Sequence, residues 1–295
     1  MIGWWRTGKQ ASLAKLLLAY TEPMRSVHKT YVGTAGGQVH CRISDGAAPA
    51  ILFLHQTASS SRSFDALMRR LALPNRLIAI DTPGFGESYD PPGWPTLRTY
   101  CRVVLEVSDA LGINAFHLFG HHTGASLAVE IAASHPSRTR SIMLAGVPLM
   151  SWDERQDLAT SLGRPLPIAA DGAHLLENWS YAAHYNPGCD LNLLHQEVVA
   201  MLRARIGRAQ AYSAVARHDT HRSARRVRCP VLLVTSADDF FHPMLCRALE
   251  IFEGARVART KGGNFQPSAD PRGVARAIID FLSSLHDTPV SLSGH

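Results

Sequence analysis

The sequence predicts an α/β fold, a mostly parallel, doubly wound sheet interrupted by a helical insertion. Three observations predict it. Short apolar runs alternate with segments of helical periodicity between "AILFLH" (50–55) and "SIMLAG" (141–146). Strands separated by helices imply right-handed crossovers and a parallel sheet covered on both faces. The runs themselves carry few polar residues, as strands buried on both faces do. Finally, the alternation stops near Trp152, gives way to helical text as far as Arg226, and resumes at "CPVLLVT" (229–235). A helical block placed between two strands of one sheet reads as a lid.

Each element follows from its local pattern. "HKTYVGTAGGQVHCRISDG" (28–46) alternates polar and apolar residues around a Gly-Gly turn and reads as two strands. "AILFLH" and "RLIAID" (76–81) are buried strands, with the helical "SFDALMRRLAL" (63–73) between them. "TLRTYCRVVLEVSDALG" (96–112) is a helix ending at Gly112, and "AFHLFG" (115–120) a strand. "GASLAVEIAASHP" (124–136) is a helix stopped near Pro136. Within the insertion, "DERQDLATSLG", "GAHLLENWSYAAHY" and "LNLLHQEVVAMLRARIG" are helical, and the basic run from Arg203 to Arg228 reads as a solvated face. "ARVART" (255–260) and the helix "PRGVARAIIDFLSSL" (271–285) close the fold. The resulting layout is an N-terminal helix in 1–25, a core in 26–150 and 227–285, a lid in 151–226, and a frayed tail in 286–295.

Composition excludes several classes. The chain has 295 residues, 46% hydrophobic and 18% charged, with a net charge of +6, enough apolar content for a substantial core and too little charge for disorder. Its Lys and Arg residues are not gathered into a nucleic-acid motif, so no nucleic-acid partner is expected. No run approaches the ~18 apolar residues of a membrane span, so no integral membrane segment is expected. The five cysteines (41, 101, 189, 229 and 246) are scattered, odd in number and without a C-x-x-C pair, which points to a reducing, cytoplasmic location. The N-terminal text lacks a signal-peptide cleavage pattern. It is expected to form an amphipathic helix packed on the body or on a partner chain, which leaves a homodimer as one arrangement.

Four stretches carry the chemistry: "LFLHQTASSSRSF" (52–64), "AIDTPGFGES" (79–88), "FGHHTG" (119–124) and "LLVTSADDFFHP" (232–243). In this order and spacing they resemble the α/β-hydrolase fold superfamily from about residue 30 to 285. The resemblance implies a strained strand–turn–helix elbow whose tip stands clear of the sheet. Gly120 and Gly124 fix its register, so the tip is His122, where relatives carry serine. It further implies an oxyanion hole from the backbone N–H of Thr123 and that of Gln56 or Thr57. The resemblance also implies the acid: its usual spacing, with Ser236 in place of a glycine, picks Asp239, and Asp238, one position earlier, is the alternative. The place of the usual catalytic histidine, in "TKGGNFQPSADP" (260–271), holds Asn264.

That double change alters the chemistry. A serine nucleophile needs a base to take its proton and return it, and an amide such as Asn264 cannot take one at any working pH. The acyl-enzyme route is therefore not expected. An imidazole exchanges protons near neutral pH, and its ring is long enough to reach Asp239 or Asn264, so His122 is expected to act as the acid/base. His242 and His55 are alternative acid/base groups, while His121 and His117 read as structural. No H-x-x-x-H spacing joins His55, His122 and His242, so neither metal nor cofactor is expected. Trp152, Trp179, Tyr181, His184 and Tyr185 could wall a substrate site. The expectation is a cofactor-free enzyme, hydrolytic or of lyase or cyclase type, acting on a small apolar carbonyl, ester or lactone. The alternative is a catalytically inactive protein that binds ligand in the same pocket.

Overall fold

A computed structural model describes residues 24–286. One eight-stranded sheet has the order β1-β2-β4-β3-β5-β6-β7-β8. Its strands are β1 (His28–Thr34), β2 (Gly37–Ser44), β3 (Ala47–Leu54), β4 (Asn75–Ile80), β5 (Phe116–His121), β6 (Thr139–Ala145), β7 (Val231–Thr235) and β8 (Arg256–Arg259). β1 and β2 form the antiparallel hairpin predicted from the Gly-Gly turn, and β2 pairs antiparallel with β4. From β4 through β8 every pairing is parallel.

The helices are α1 (Asp65–Met68), α2 (Leu97–Ala110), α3 (Thr123–Ser134), α4 (Trp152–Ser161), α5 (Ala173–His184), α6 (Leu191–Ala204), α7 (Ile206–Ala216), α8 (Thr220–Ala224), α9 (Leu245–Ile251), α10 (Gln266–Ala269) and α11 (Pro271–His286). Two apolar clusters cover the two faces of the sheet. One joins residues of α2 and α3 to the β3, β5 and β6 side chains of that face, and the other joins α1 and α11 to the opposite face. On α11 the buried positions Val274, Ile278, Phe281 and Leu282 recur at helical spacing, which is why this text forms an amphipathic helix docked on the sheet. The "AIDTPGFGES" turn is gathered by the buried Asp81 carboxylate, which accepts from Ser61 N–H (2.5 Å) and Glu87 N–H (3.0 Å) and pairs with His40 Nδ1 (2.8 Å).

Helices α4 to α8 separate β6 from β7 and pack over the loops that follow β3 and β4. Tyr212 Oη donates to the Thr57 carbonyl (3.1 Å), Arg203 Nη2 to the Ser88 carbonyl (3.0 Å), and Gln210 Nε2 to Pro91 and Gly93 carbonyls (3.1 and 2.6 Å). At their base, Glu130 of α3 is buried and accepts from Ser223 Oγ of α8 (2.5 Å) and Arg98 Nε (2.9 Å). The basic run from Arg203 to Arg228 keeps most of its arginines exposed, as expected of a solvated face. The helical text breaks at Arg205, and α7 buries Gly207, Ala209, Ala211 and Ala214, while its one arginine, Arg208, donates to Asn178 Oδ1 (3.1 Å) and lies over the Tyr181 ring. The expected N-terminal helix and the frayed tail lie outside the described residues, apart from 24–25 and 286. No helix among the described residues is long and apolar enough to cross a membrane.

Candidate active site

β5 passes into α3 through a single residue, His122, at φ 47° and ψ −106°. A non-glycine residue there is strained, and such strain persists only where the surroundings over-determine it. Here the His122 N–H donates to the Ala145 carbonyl (2.9 Å), and the His122 carbonyl accepts from Ala125 N–H (2.8 Å). Side chains on the flanking glycines would prevent the turn: a Cβ on Gly124 would run into the Leu54 carbonyl, and one on Gly120 into the backbone of Gly124. The elbow thus points His122 away from the sheet and leaves the Thr123 N–H in the first turn of α3, where no intrahelical acceptor exists.

The loop after β7 meets this tip. It buries Asp239 and exposes Asp238. His122 Nε2 lies 2.8 Å from Asp239 Oδ2. A carboxylate only accepts, so Nε2 carries the proton; among the described residues no protein group hydrogen-bonds to Nδ1. Asp239 Oδ1 accepts from Phe241 N–H (2.7 Å), and Oδ2 accepts a second bond from Gln266 Nε2 (2.7 Å). Burial alone would raise the Asp239 pKa, but the adjoining His122 and the bond from the Phe241 N–H are among the effects that outweigh it and hold the carboxyl at about 2. Gly146, just past β6 with φ 59°, makes the approach possible: a Cβ there would lie 2.7 Å from His122 Nε2 and 2.8 Å from Asp239 Oδ1.

The other expected site residues sit elsewhere. Asn264 is buried and hydrogen-bonds to neither His122 nor Asp239. Its Oδ1 accepts from Phe240 N–H (2.8 Å) and its Nδ2 donates to the Tyr185 carbonyl (2.8 Å). It ties the end of α5 to the acid loop, with both halves of its amide occupied. His55 is also removed as an acid/base group. Its Nδ1 donates to the Gln56 carbonyl (2.8 Å), its Nε2 accepts from Thr82 N–H (3.1 Å), and burial lowers its pKa, so it is a neutral strut. His242 turns its Nδ1 to Thr235 Oγ1 (2.8 Å), and His117 turns its Nδ1 to Ser141 Oγ (2.7 Å). Gln56 and Thr57 are buried at the end of β3, and the Gln56 carbonyl also accepts from Ser59 N–H (2.9 Å). Ser126 is fully buried inside α3 and is no rival nucleophile.

Sequence reasoning missed three residues. Gln266 follows Asn264 by two positions and grips both Asp239 and Thr260 Oγ1 (2.7 Å), but no motif marks it. Gly146 is visible only as the residue ending a strand. His121 lies with its ring centroid 4.3 Å from that of His122; burial, then His122, pushes its pKa well below the ordinary histidine value, so it is neutral. Beside the site, a groove of about 1420 Å³ runs between the inserted helices and the body. Tyr185, Leu193, Arg62, Gly263 and Phe265 are among its walls, but not His122 or Asp239. Trp152 is 65% exposed and lines no such wall.

Comparison with known proteins places the fold. The model of the alpha/beta hydrolase fold family matches residues 49–161. The chain is 26% identical over 272 residues, 84% of its length and 98% of the other's, to the protein assigned as carbamate hydrolase RutD in Pseudomonas savastanoi pv. phaseolicola. It is 24% identical to pyrrolizixenacetamide deacetylase of Xenorhabdus hominickii over 83% of this chain and 94% of that one. Among solved structures, an esterase from Exiguobacterium antarcticum superposes with a TM-score of 0.74 at 16% identity, covering 87% of this chain and all (100%) of that one. An enol-lactonase from Burkholderia xenovorans LB400 does so at 0.70 and 20%, covering 86% and 100%. The protein has the α/β-hydrolase fold.

Proposed function

We propose that the protein is an enzyme in which His122 and Asp239 form the proton-transfer pair, replacing the serine relay of its fold. The observation that carries this reading is the buried 2.8 Å contact between His122 Nε2 and Asp239 Oδ2. The histidine at the tip reaches the acid directly, so the pair needs no third residue. With Nε2–H held by the carboxylate, Nδ1 is the nitrogen that takes a proton from water or substrate, and Asp239 stabilises the imidazolium that forms. The backbone N–H groups of Thr123 and of Gln56 or Thr57 would receive the developing oxyanion, an interaction that strengthens as charge develops.

The substrate in this reading is a small apolar ester, lactone or related acyl compound, and the reaction is hydrolysis by water that His122 activates. The similar proteins named for hydrolysis of carbamate, acetamide, ester and enol-lactone groups support the hydrolytic branch. The same pair suits lyase or cyclase chemistry, in which the proton moves within the substrate. The compartment in this reading is the cytoplasm.

The test is a panel of small esters, lactones and carbamates assayed with wild type and His122→Gln. Glutamine keeps hydrogen bonding but cannot exchange a proton near neutral pH, so turnover should fall by about 10²–10⁴-fold, the usual worth of a positioned acid/base. A fluorophosphonate probe should leave the elbow unlabelled. Labelling at Thr123 or Ser126 would overturn the mechanism. Ligand binding without turnover, the same in both proteins, would make this an inactive binding protein.

A further inference from the structure

One group at the elbow has no role in that pair. His121 is 1% exposed, and both of its ring nitrogens are buried with no hydrogen-bond partner among the described residues. A neutral imidazole carries one N–H and one lone pair. Leaving such a group unsatisfied in a protein interior is destabilising, because its lost hydration is not replaced. Native structures fill such positions with a protein partner, a water or an ion. What surrounds His121 selects among these. One ligand atom each from His121, His122 and Asp239 lies within 4.8 Å of the other two.

We propose that His121, His122 and Asp239 form a binding site for a divalent transition metal of the zinc class. Two imidazoles and one carboxylate are the donor set of open, catalytic-type zinc sites, which keep a fourth position for water. The same set disfavours magnesium and calcium, which take oxygen ligands. Bonds of about 2.0–2.2 Å in tetrahedral geometry put donor atoms about 3.4 Å apart. The observed separations, 2.8 Å for the His122–Asp239 contact and at most 4.8 Å overall, bracket that value. Gln266 and the Phe241 N–H already orient the carboxylate, as outer-shell donors do around metal ligands. Ligation needs free lone pairs, so the proton between His122 and Asp239 moves to the other ring nitrogen or leaves to solvent as the ion binds. This inference goes beyond the proton-transfer reading and stands whether or not the pair catalyses, because binding is measured without substrate.

The experiment titrates the full chain, freed of metal by chelator, with Co²⁺ and then Zn²⁺. Calorimetry should give one ion per chain, and cobalt should show d–d bands without thiolate charge transfer. His121→Phe and Asp239→Asn, each shown by circular dichroism to be folded without metal, should bind at least tenfold more weakly, since losing even an outer-shell partner costs about 10–100-fold. X-ray absorption of the zinc-loaded wild type, which needs no variant, should show nitrogen and oxygen neighbours with imidazole scattering. Absence of one-to-one binding overturns the proposal. So does sulfur in the first shell, or a folded His121→Phe chain that binds as well as wild type.

Discussion

Replacing Gly146 with alanine tests the geometry that joins His122 to Asp239. The substitution acts in two ways. At φ 59° an L-residue costs about 1–2 kcal/mol from the clash of Cβ with its own carbonyl. The new methyl would also lie 2.5 Å from His122 Cδ2, 2.7 Å from Nε2 and 2.8 Å from Asp239 Oδ1, well inside contact distance. Crowding of this kind in a packed interior costs about 1–3 kcal/mol. The sum is a destabilisation of about 2–5 kcal/mol. A double-mutant cycle with His122→Ala separates the two parts. Without the imidazole, most of the crowding vanishes and the backbone part remains, so the two substitutions should couple by about 1–3 kcal/mol, the range seen for residues in contact. The assay is urea unfolding of the four proteins, followed by fluorescence and circular dichroism. Additivity within about 0.5 kcal/mol would mean that the ring does not lie against Gly146. The route from the elbow to the acid described above would then be wrong.

Three further perturbations probe the same network. Asp239, held at about 2 against an ordinary 3.8, contributes about 2 kcal/mol to stability. A depressed acid stabilises above its unfolded pKa, so wild type should exceed Asp239→Asn by that amount at pH 6. The advantage should shrink as pH falls through 3.8 toward 2, and acid unfolding curves that stay parallel would refute it. Glu197 of α6 is the opposite case. Burial, only partly offset by Ser59 and Arg62, raises its carboxyl from 4.5 to about 7. The folded state then holds a proton that the unfolded state has released, so this group's contribution declines from pH 4.5 to about 7. Glu197→Gln should therefore be more stable than wild type at pH 8, by about 3 kcal/mol, and a thermal scan showing no gain would sink the assignment. Gln266→Met removes a donor from a buried carboxylate and should cost about 1.5–3 kcal/mol in urea unfolding at pH 7. A loss below about 0.5 kcal/mol, the range of neutral surface changes, would show that Gln266 does not hold Asp239.

The sequence by itself determined the strands of the sheet, the order of the main elements and the identity of the elbow tip, but not the helix break at Arg205 or the helix α9. Periodicities of two and 3.6 residues are local properties, and so is the strand–turn–helix register that Gly120 and Gly124 impose on His122. The acid loop was legible only through the family resemblance, which pointed to Asp239 and left Asp238 open; the structure separates them, burying Asp239 against His122 and exposing Asp238. What joins these parts is not local. The His122–Asp239 pair spans 117 residues of sequence, and Gly146, which clears the space between them, belongs to neither motif. Asn264 occupies the place of a catalytic residue, but its amide is taken by backbone groups of Phe240 and Tyr185, a pairing set by how α5 lies over the acid loop. Gln266 reaches Asp239 and His121 comes to lie beside His122 only because the sheet brings the ends of β5 and β7 and the 260–271 loop together. Hydrogen bonds and burial costs depend on which atoms meet in space, and in this chain those meetings are decided by the packing of β5, β6 and β7 edge to edge.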